Sequence, residues 1–524
     1  MNPSSSTADR PRLSVAMIVR DEAKTLPAAL DSVRAIADEI VVLDTGSTDQ
    51  TVLVAQTGGA TIHHSPWNDD FSHARNTCLQ HVRGEWILWL DGSEQLEAAS
   101  AQTLRRFVEE EADPDRLYML MVEIPPLDPA GSAEQAARIR LMPNDPALHF
   151  TGRVRETVRP SAEATGMEID LAPGRILRDV SQHDPRRSTA RARRDLELVA
   201  MEQRQSGSLS ARLLITQGDA YANLDSHEPA RNAYLAALAA AKPGSTDMLD
   251  GYYGLLPTFD HDPTLRNQQL KACLQALEAH PQDCQLLFAA GNYLQLRDRM
   301  DLARRSFEAA MNYGQVDLET WHLKELAEIV AICLSVVQQL EGSDDAARKT
   351  LENALERHIH SARLWRQLLD LHLRAGRETE ALSAAEALSI APSEWKAFTN
   401  AVRGACRAAQ QDWTKALGYL QAAYVAGCRD LICLRWLAIT LLSNGEFEAA
   451  RPVLAEWSEI APNSAELLAF LKAIEAHETP AEPRDDDRQY RLDQADDAIH
   501  ITPSHATDSD SIRAGIASPS QSND

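Results

Sequence analysis

The sequence predicts an α/β domain with a mostly parallel sheet, followed by an all-α solenoid of helix pairs and a disordered acidic tail. Three observations lead to this fold class. Short apolar runs alternate with helical patterns between residues 13 and 90, which is typical of strand–helix–strand units. Alanine-rich helical patterns repeat at a nearly constant interval within residues 205–477. From residue 478 onward large apolar side chains are scarce and the charge is negative.

Length, charge and cysteine content limit the classes of protein to consider. At 524 residues the chain is too long for one ordinary core. A net charge of −25 argues against a nucleic-acid-binding protein, because binding to many phosphates needs a basic face. Seven cysteines without a CxxC pair indicate reduced thiols in a cytoplasmic protein. No apolar run reaches the roughly 18 residues of a membrane span, so any attachment to the inner membrane is expected to be peripheral.

Two apolar runs of strand length end at an aspartate that is followed by turn residues. The first leads into Asp44 and the second into Asp91. Ligands of open α/β sheets bind at the carboxyl ends of the strands, so both carboxylates are candidates for contact with a polar ligand. Asp44 suits a base or a ribose, and Asp91 suits a cation that bridges diphosphate oxygens. The alternative is structural, because aspartate often ends strands by favouring turns.

Four motifs follow one another between residues 17 and 91. They are Met17-Ile18-Val19-Arg20-Asp21-Glu22, Asp44-Thr45-Gly46-Ser47-Thr48-Asp49, Trp67-Asn68-Asp69-Asp70-Phe71-Ser72-His73-Ala74-Arg75-Asn76 and Gly84-Glu85-Trp86-Ile87-Leu88-Trp89-Leu90-Asp91. In this order they resemble glycosyltransferase family 2, and more narrowly its bacterial branch with tetratricopeptide repeats behind the transferase. The resemblance implies a Rossmann-like GT-A fold, a nucleotide-diphospho-sugar donor and transfer with inversion.

The resemblance also implies site residues, position by position. Those that would bind the nucleotide-sugar are Arg20, Asp21, Glu22, Asp44, Thr45, Gly46, Ser47, Asp49, Arg75, Asn76 and Asp91. Asp91 would also open an acidic motif that binds a divalent cation, Mg²⁺ or Mn²⁺. The family usually has Asp-x-Asp followed by an acidic residue, whereas this chain has Asp91-Gly92-Ser93-Glu94.

The neutral Ser93 removes one carboxylate from the metal motif and leaves three interpretations open. Glu94 replaces the missing ligand, the metal is bound more weakly, or the fold persists without activity. Further along, residues 149–156 resemble a segment that ends in Gly-Arg-x-His-Glu in the same branch, with Arg155 in place of the histidine.

Two residues of this segment are catalytic candidates. Glu156 is the candidate base that takes the proton of the acceptor hydroxyl. Arg155 is the candidate that stabilises the leaving diphosphate in place of metal charge. The alternative for Glu156 is a surface ion pair with Arg153 or Arg155, which contributes little energy.

A basic cluster stands out in this acidic chain. It consists of Arg186, Arg187, Arg191, Arg193 and Arg194. The favoured interpretation is a solvated face on a connecting helix. The alternative is a docking site for an anionic acceptor or a membrane surface.

The helical region repeats itself with a short period. Ala347, Ala381, Ala416 and Ala450 are separated by 34, 35 and 34 residues. This period, with small residues where two helices cross closely, is typical of tetratricopeptide repeats, of which we expect about six. Such a solenoid usually binds a protein or peptide; the alternative is a structural extension that supports the transferase.

These features together predict the organisation and the function. The predicted parts are a disordered N-terminus (1–11), a transferase-like domain (12–182), a connecting helix (183–204), the repeat solenoid (205–477) and a disordered acidic tail (478–524). The favoured hypothesis is an inverting glycosyltransferase whose protein or glycan acceptor, or a protein partner, docks on the repeats. The alternative is a catalytically weakened transferase fold that serves as an interaction scaffold.

Overall fold

A computed structural model of the chain describes residues 10–126, 131–179, 184–462 and 464–476. The described residues form two compact units. The first takes in the residues up to Pro281 and the segment Val316–Lys324, and the second takes in Gln282–Gln315 and the residues from Glu325 onward. The predicted acidic tail lies outside the described residues, as does the predicted N-terminal disorder apart from Arg10 and Pro11.

The first unit is built on one mixed sheet. Its strands are β1 (Leu13–Val19), β2 (Glu39–Asp44), β3 (Thr61–His64), β4 (Trp86–Trp89), β5 (Glu94–Leu96), β6 (Arg116–Ile124), β7 (Glu134–Pro143), β8 (Glu168–Arg178) and β9 (His322–Leu323). The order is β3-β2-β1-β4-β7-β6-β8-β5, with β9 paired to β7. The first four strands in this order run parallel, as the alternation of strands and helices predicts, and β7 joins them antiparallel. The carboxyl ends of β1, β2 and β4 therefore lie side by side.

Helices cover both faces of this sheet. The helices of the first unit are α1 (Leu26–Val33), α2 (Thr51–Thr57), α3 (Phe71–Leu79), α4 (Ala98–Glu110), α5 (Arg159–Thr165), α6 (Pro185–Ser206), α7 (Ala211–Ala222), α8 (His227–Ala240), α9 (Thr246–Leu255) and α10 (Arg266–Ala279). Val15 of β1 packs in a core with Leu30 of α1 and Leu104 of α4. Ala16, the next residue, packs in a second core with Cys78 of α3. This alternation places apolar side chains on both sides of the strand.

The second unit consists of packed helix pairs. Its helices are α11 (Cys284–Gln295), α12 (Met300–Tyr313), α13 (Leu326–Leu340), α14 (Asp344–Arg357), α15 (Ala362–Arg374), α16 (Glu378–Glu386), α17 (Trp395–Ala409), α18 (Trp413–Val425), α19 (Leu431–Ser443), α20 (Phe447–Ile460) and α21 (Ala465–Ala476). The four alanines that define the period are fully buried in α14, α16, α18 and α20. Gly291 of α11 lies against the buried ring of Phe307 of α12, the small-against-large contact expected at a close helix crossing.

The predicted fold class is confirmed: an α/β domain is followed by helix pairs of the tetratricopeptide type. The pair α7–α8 in the first unit has the same contact, with Gly218 against Tyr234. Within the described residues, no helix has both the length and the apolar character that crossing a bilayer requires.

Candidate functional site

A cavity of about 280 Å³ opens where the carboxyl ends of β1, β2 and β4 meet. Its lining includes Arg20 and Glu22 after β1, Thr45 after β2, Arg75 on α3 and Asp91 after β4. These residues come from all four motifs of the sequence. The sheet topology therefore brings the motifs together at the place where open α/β sheets bind ligands.

The loop after β1 and the loop after β2 are joined by short hydrogen bonds. Asp21, in a left-handed conformation with φ of 54°, accepts a hydrogen bond of 2.7 Å from the backbone N–H of Thr48. Its own N–H donates to the hydroxyl of Ser47 at 3.0 Å, and Asp49 accepts from the N–H of Ala23 at 3.2 Å. The Thr48 N–H is the largest cause of the lowered pKa of Asp21. Asp21, Ser47 and Asp49 thus fix the shape of the loops.

Asp44 shapes the turn that follows β2. Its buried carboxylate accepts hydrogen bonds from the backbone N–H groups of Gly46 at 3.2 Å and Ser47 at 3.1 Å. One of its oxygens lies 3.3 Å from Nδ1 of His64. Gly46 has φ of 105°, a conformation that favours glycine. Asp44 therefore has the structural contacts of the alternative interpretation, and the adjacent Thr45 lines the cavity; its contact with a nucleoside stays a prediction.

Arg75 is held in place by aromatic rings and carboxylates. Its Nε donates to Oε1 of Glu156, and its Nη2 donates to Oδ1 of Asp91 at 3.3 Å. The guanidinium carbon lies 4.5 Å from the ring centroid of Trp89 and 5.3 Å from that of Phe150. These contacts restrict the motion of the Arg75 side chain and hold its cationic group on the cavity wall.

Asn76, the next predicted site residue, has a different task. Its side-chain amide donates to the backbone carbonyl of Phe150 at 2.9 Å and accepts from the Phe150 N–H at 2.8 Å. This pair of bonds fastens α3 to the segment that leads to Glu156. Asn76 thus supports the site from behind, and its contact with the donor stays a prediction.

Asp91 shares its neighbouring arginines with Glu94. Arg140 Nη2 lies 3.6 Å from Asp91 and 2.7 Å from Glu94, and Arg178 Nε lies 3.1 Å from Glu94. Burial would raise the pKa of Asp91, but the guanidinium groups of Arg140, Arg75 and Arg178 outweigh it and lower the pKa to about 2. The carboxylate is therefore ionised at any physiological pH, although 32% of its side chain remains exposed.

The residues around Asp91 do not fit a divalent cation. The network contains three carboxylates, counting Glu156, and three guanidinium groups, so its formal charge is zero. Glu94 is 1% exposed; its Oε1 accepts from Arg140 and Arg178, and its Oε2 accepts from the backbone N–H of Asp91 at 3.1 Å. Ser93 offers only a neutral oxygen. In the described part of the chain, no group of three or more His, Cys, Asp or Glu is placed to hold a metal ion. A cation here would add positive charge beside three guanidinium groups that the three carboxylates of the network already balance.

Neither of the two catalytic candidates is among the described residues that line the cavity. Glu156 contacts Arg75 but is absent from the cavity lining found among the described residues. Arg155, with φ of 50°, hydrogen-bonds to Asp219 of α7, which also accepts from the hydroxyl of Tyr234 at 2.7 Å. Burial would lower the pKa of Arg155, but Asp219 outweighs it and raises the pKa. Arg155 is thus tied to the first helix pair, and both catalytic roles stay predictions.

Arginines outside the set that the resemblance assigns to the nucleotide-sugar also line the cavity. Arg187, Arg191 and Arg194 of α6 do so, together with Arg178 of β8. The sequence favours a solvated face for this basic cluster, with docking of an anionic acceptor or a membrane surface as the alternative. A signal was available in the spacing, because positions 187, 191 and 194 share one face of a helix. No comparable signal marks Arg178, whose place depends on the pairing of β8 with β5 and β6.

Comparison with known proteins supports the resemblance inferred from the motifs. Residues 14–113 match the family model described as glycosyl transferase family 2. A TPR repeat-containing protein of Synechococcus elongatus is 34% identical over 220 residues, which are 40% of this chain and 53% of that protein. The SPbeta prophage-derived glycosyltransferase SunS of Bacillus subtilis is 36% identical over 86 residues, 16% of this chain and 20% of that protein. The chain thus spans about half the length of the first relative and a fifth of the second.

Solved structures share less with the chain. Glucosyl-3-phosphoglycerate synthase from Mycobacterium tuberculosis, crystallised with Mn²⁺, uridine diphosphate and glucosyl-3-phosphoglycerate, is 21% identical over 24% of this chain and 49% of its own, with a TM-score of 0.18. A score this low carries no conclusion about this site. The family match over residues 14–113 confirms that the chain resembles family 2 glycosyltransferases, with tetratricopeptide-type helix pairs behind the transferase-like domain.

Proposed function

We propose that the chain is a glycosyltransferase that moves a sugar, with inversion, from a nucleotide-diphospho-sugar to a protein or glycan acceptor. In this proposal residues 12–182 form the transferase domain, residues 183–204 connect it to the repeats, and residues 205–477 form the repeat region. The acceptor or a protein partner docks on the repeats, which is the usual task of such helix pairs.

One observation carries the proposal. Residues from motifs far apart in the sequence, among them Arg20, Thr45, Arg75 and Asp91, line a single cavity at the strand ends. The family match covers the segment that supplies all four. The cavity, about 280 Å³, is close to the lower end of the range usual for small-molecule sites.

The chemistry follows from what inverting transfer requires. The acceptor oxygen bonds to the anomeric carbon on the face opposite the diphosphate, and the bond from that carbon to the diphosphate oxygen breaks. A base removes the acceptor proton, and the leaving diphosphate is stabilised by positive charge. Glu156 is the proposed base; to act, it exchanges part of its contact with Arg75 for the acceptor hydroxyl. Arg75, on the cavity lining, and Arg155 are the proposed cations that stabilise the diphosphate.

The test is nucleotide release from a panel of activated sugars. The full chain is incubated with uridine-, guanosine-, adenosine- and thymidine-diphospho-sugars in a cell extract depleted of nucleotides, and the released nucleoside diphosphate is measured. Release is expected with at least one donor. Arg75→Gln is expected to lower it by about 100-fold or more, because a fixed donor to the leaving group is lost. Arg34→Gln, the same change at an exposed arginine that directly follows α1, is the matched control.

Two outcomes would contradict the proposal. One is the absence of release and of donor binding across the panel, which favours the scaffold alternative. The ion pairs that occupy Asp91 and Glu156 are the observation behind that alternative. The other is equal activity of Arg75→Gln and Arg34→Gln. Arg75 forms ion pairs with two carboxylates, so its substitution could disturb the fold. Arg20→Gln, at an exposed position that lines the same cavity, repeats the test without removing these ion pairs.

A further inference from the structure

Helix α6 presents a row of arginines to the cavity. Arg187, Arg191 and Arg194 line it, and their spacing places them on one face of the helix. Arg186 and Arg193 on the same helix are exposed and do not contribute to the lining. The two sets have the same residue type, but only the first lines the cavity. Arg186 and Arg193 therefore serve as control positions on the same helix.

Apolar packing holds this face in place. Leu198 and Val199 of α6 form a cluster with Val154, against which Trp67 and Phe71 pack. The guanidinium carbon of Arg194 lies 5.0 Å from the ring centroid of Phe71. The row of arginines therefore extends from a buried anchor, so less conformational entropy is lost when an anion binds.

The cavity is positive although the chain is acidic. Six arginines line it, against the two carboxylates of Glu22 and Asp91. Arg75 and Arg178 are balanced within the ion network around Asp91, and Arg194 pairs with the adjacent Asp195 at 2.8 Å. The other lining arginines, Arg20, Arg187 and Arg191, still outnumber Glu22. The ion pair between Arg187 and Glu22 is long, with 3.8 Å between the guanidinium nitrogen and the carboxylate oxygen. The whole chain carries −25. A cavity of this kind concentrates anions, because the charges of its wall act on the ligand through little water.

The cation that the family motif implies does not fit next to Asp91, yet a leaving diphosphate needs positive charge. Guanidinium groups supply such charge and bind phosphate oxygens in a bidentate way. We propose that Arg187, Arg191 and Arg194 bind the diphosphate of the donor and stabilise it as it leaves, without a divalent cation. This inference rests on the proposed function, since it names the charge that serves the same site.

The step balances without a metal. The acceptor oxygen forms its bond to the anomeric carbon, and the electron pair of the broken bond remains on the diphosphate oxygen. The acceptor proton passes to the proposed base, Glu156. The arginines exchange no proton; they hold the charge that develops on the diphosphate.

Inorganic pyrophosphate is the probe, because it presents the diphosphate alone. Its binding to the full chain is measured by calorimetry, once with excess chelator and once with Mn²⁺. Binding is expected in chelator, and Mn²⁺, which itself complexes pyrophosphate, is not expected to tighten it. Arg191→Gln is expected to weaken binding by at least about tenfold, since a hydrogen bond to a charged group is lost. Arg193→Gln, the matched control, is expected to stay within twofold of the unchanged chain.

Three results would overturn the inference: binding that requires Mn²⁺, equal losses in Arg191→Gln and Arg193→Gln, or no binding under either condition. Circular dichroism checks the fold of each variant, and Arg187→Gln with Arg186→Gln as its control gives a second, independent pair. Nucleotide release separates this inference from the proposed function. Metal-independent pyrophosphate binding without release from any activated sugar would contradict the transferase proposal and leave the anion site standing.

Discussion

Glu94 offers a direct test of the ion network that leaves no place for a metal. Its carboxylate is 1% exposed and accepts from Arg140 at 2.7 Å and Arg178 at 3.1 Å. Glu94→Gln keeps the shape but removes the charge, so two buried guanidinium groups lose part of their balance. Breaking a buried ion pair from one side costs about 3–5 kcal/mol. Two hydrogen bonds between charged groups, at about 1.5–3 kcal/mol each, lead to a similar figure.

Hydrogen exchange measures this loss where it occurs. A chain with two compact units need not unfold in one step, so the readout is exchange of the peptides that cover β4 and β5. A loss of about 3 kcal/mol lowers their protection factors by about 100-fold. Glu97→Gln is the control, because Glu97 is 33% exposed and its distance to Arg175 is 3.9 Å, for which at most about 1 kcal/mol is expected. Equal effects of the two substitutions would refute the reasoning.

Three further predictions follow from single contacts. The folded-state pKa of Asp91, about 2, is below its ordinary 3.8, so its ion pairs stabilise the fold above pH 4 and lose this effect as the pH falls towards 2. The difference in hydrogen-exchange protection of the β4 peptides between Asp91→Asn and the unchanged chain should therefore shrink over that interval, and a constant difference would contradict this. Ser93→Asp adds a negative charge to the cavity, so it should weaken pyrophosphate binding in chelator, and added Mn²⁺ should restore part of it; unchanged calorimetric binding would contradict this. Gly291→Ala would place a Cβ 2.5 Å from the ring of Phe307, whereas Gly418 has open space. The same change should therefore be about 1–3 kcal/mol more destabilising at position 291 than at position 418, measured by hydrogen exchange of the peptides that cover α11 and α18, and equal effects would contradict it.

Local patterns predicted most of the secondary structure. Apolar runs before turn residues predicted the ends of β2 and β4 to within two residues, because a buried strand needs an unbroken run of apolar side chains. The alanine period located α14, α16, α18 and α20, because a close helix crossing requires a small residue. Order along the chain was also sufficient to bring Arg20, Thr45 and Asp91 to one edge of the sheet.

Side-chain partners across long separations could not be predicted in this way. The partner of Arg155 is Asp219 of α7, and the partners of Glu94 are Arg140 and Arg178, in strands that pair only in the folded sheet. Their charges carry no periodic pattern that would mark them beforehand. The arginines of α6 did carry such a pattern, but only the position of the helix distinguishes a face towards solvent from a face towards a cavity.

The neutral Ser93 and the arginine row of α6 can be explained by one electrostatic requirement. Three carboxylates and three guanidinium groups already balance at the end of β4, so a carboxylate at position 93 would require a further cation there. Ser93 and Arg191 line the same cavity. In a site where the positive charge comes from a helix face, an acidic side chain at position 93 would compete with the anionic ligand for that charge. A neutral residue at position 93 is therefore consistent with a site whose positive charge comes from arginines. The departure from the acidic motif does not by itself imply that catalysis is lost.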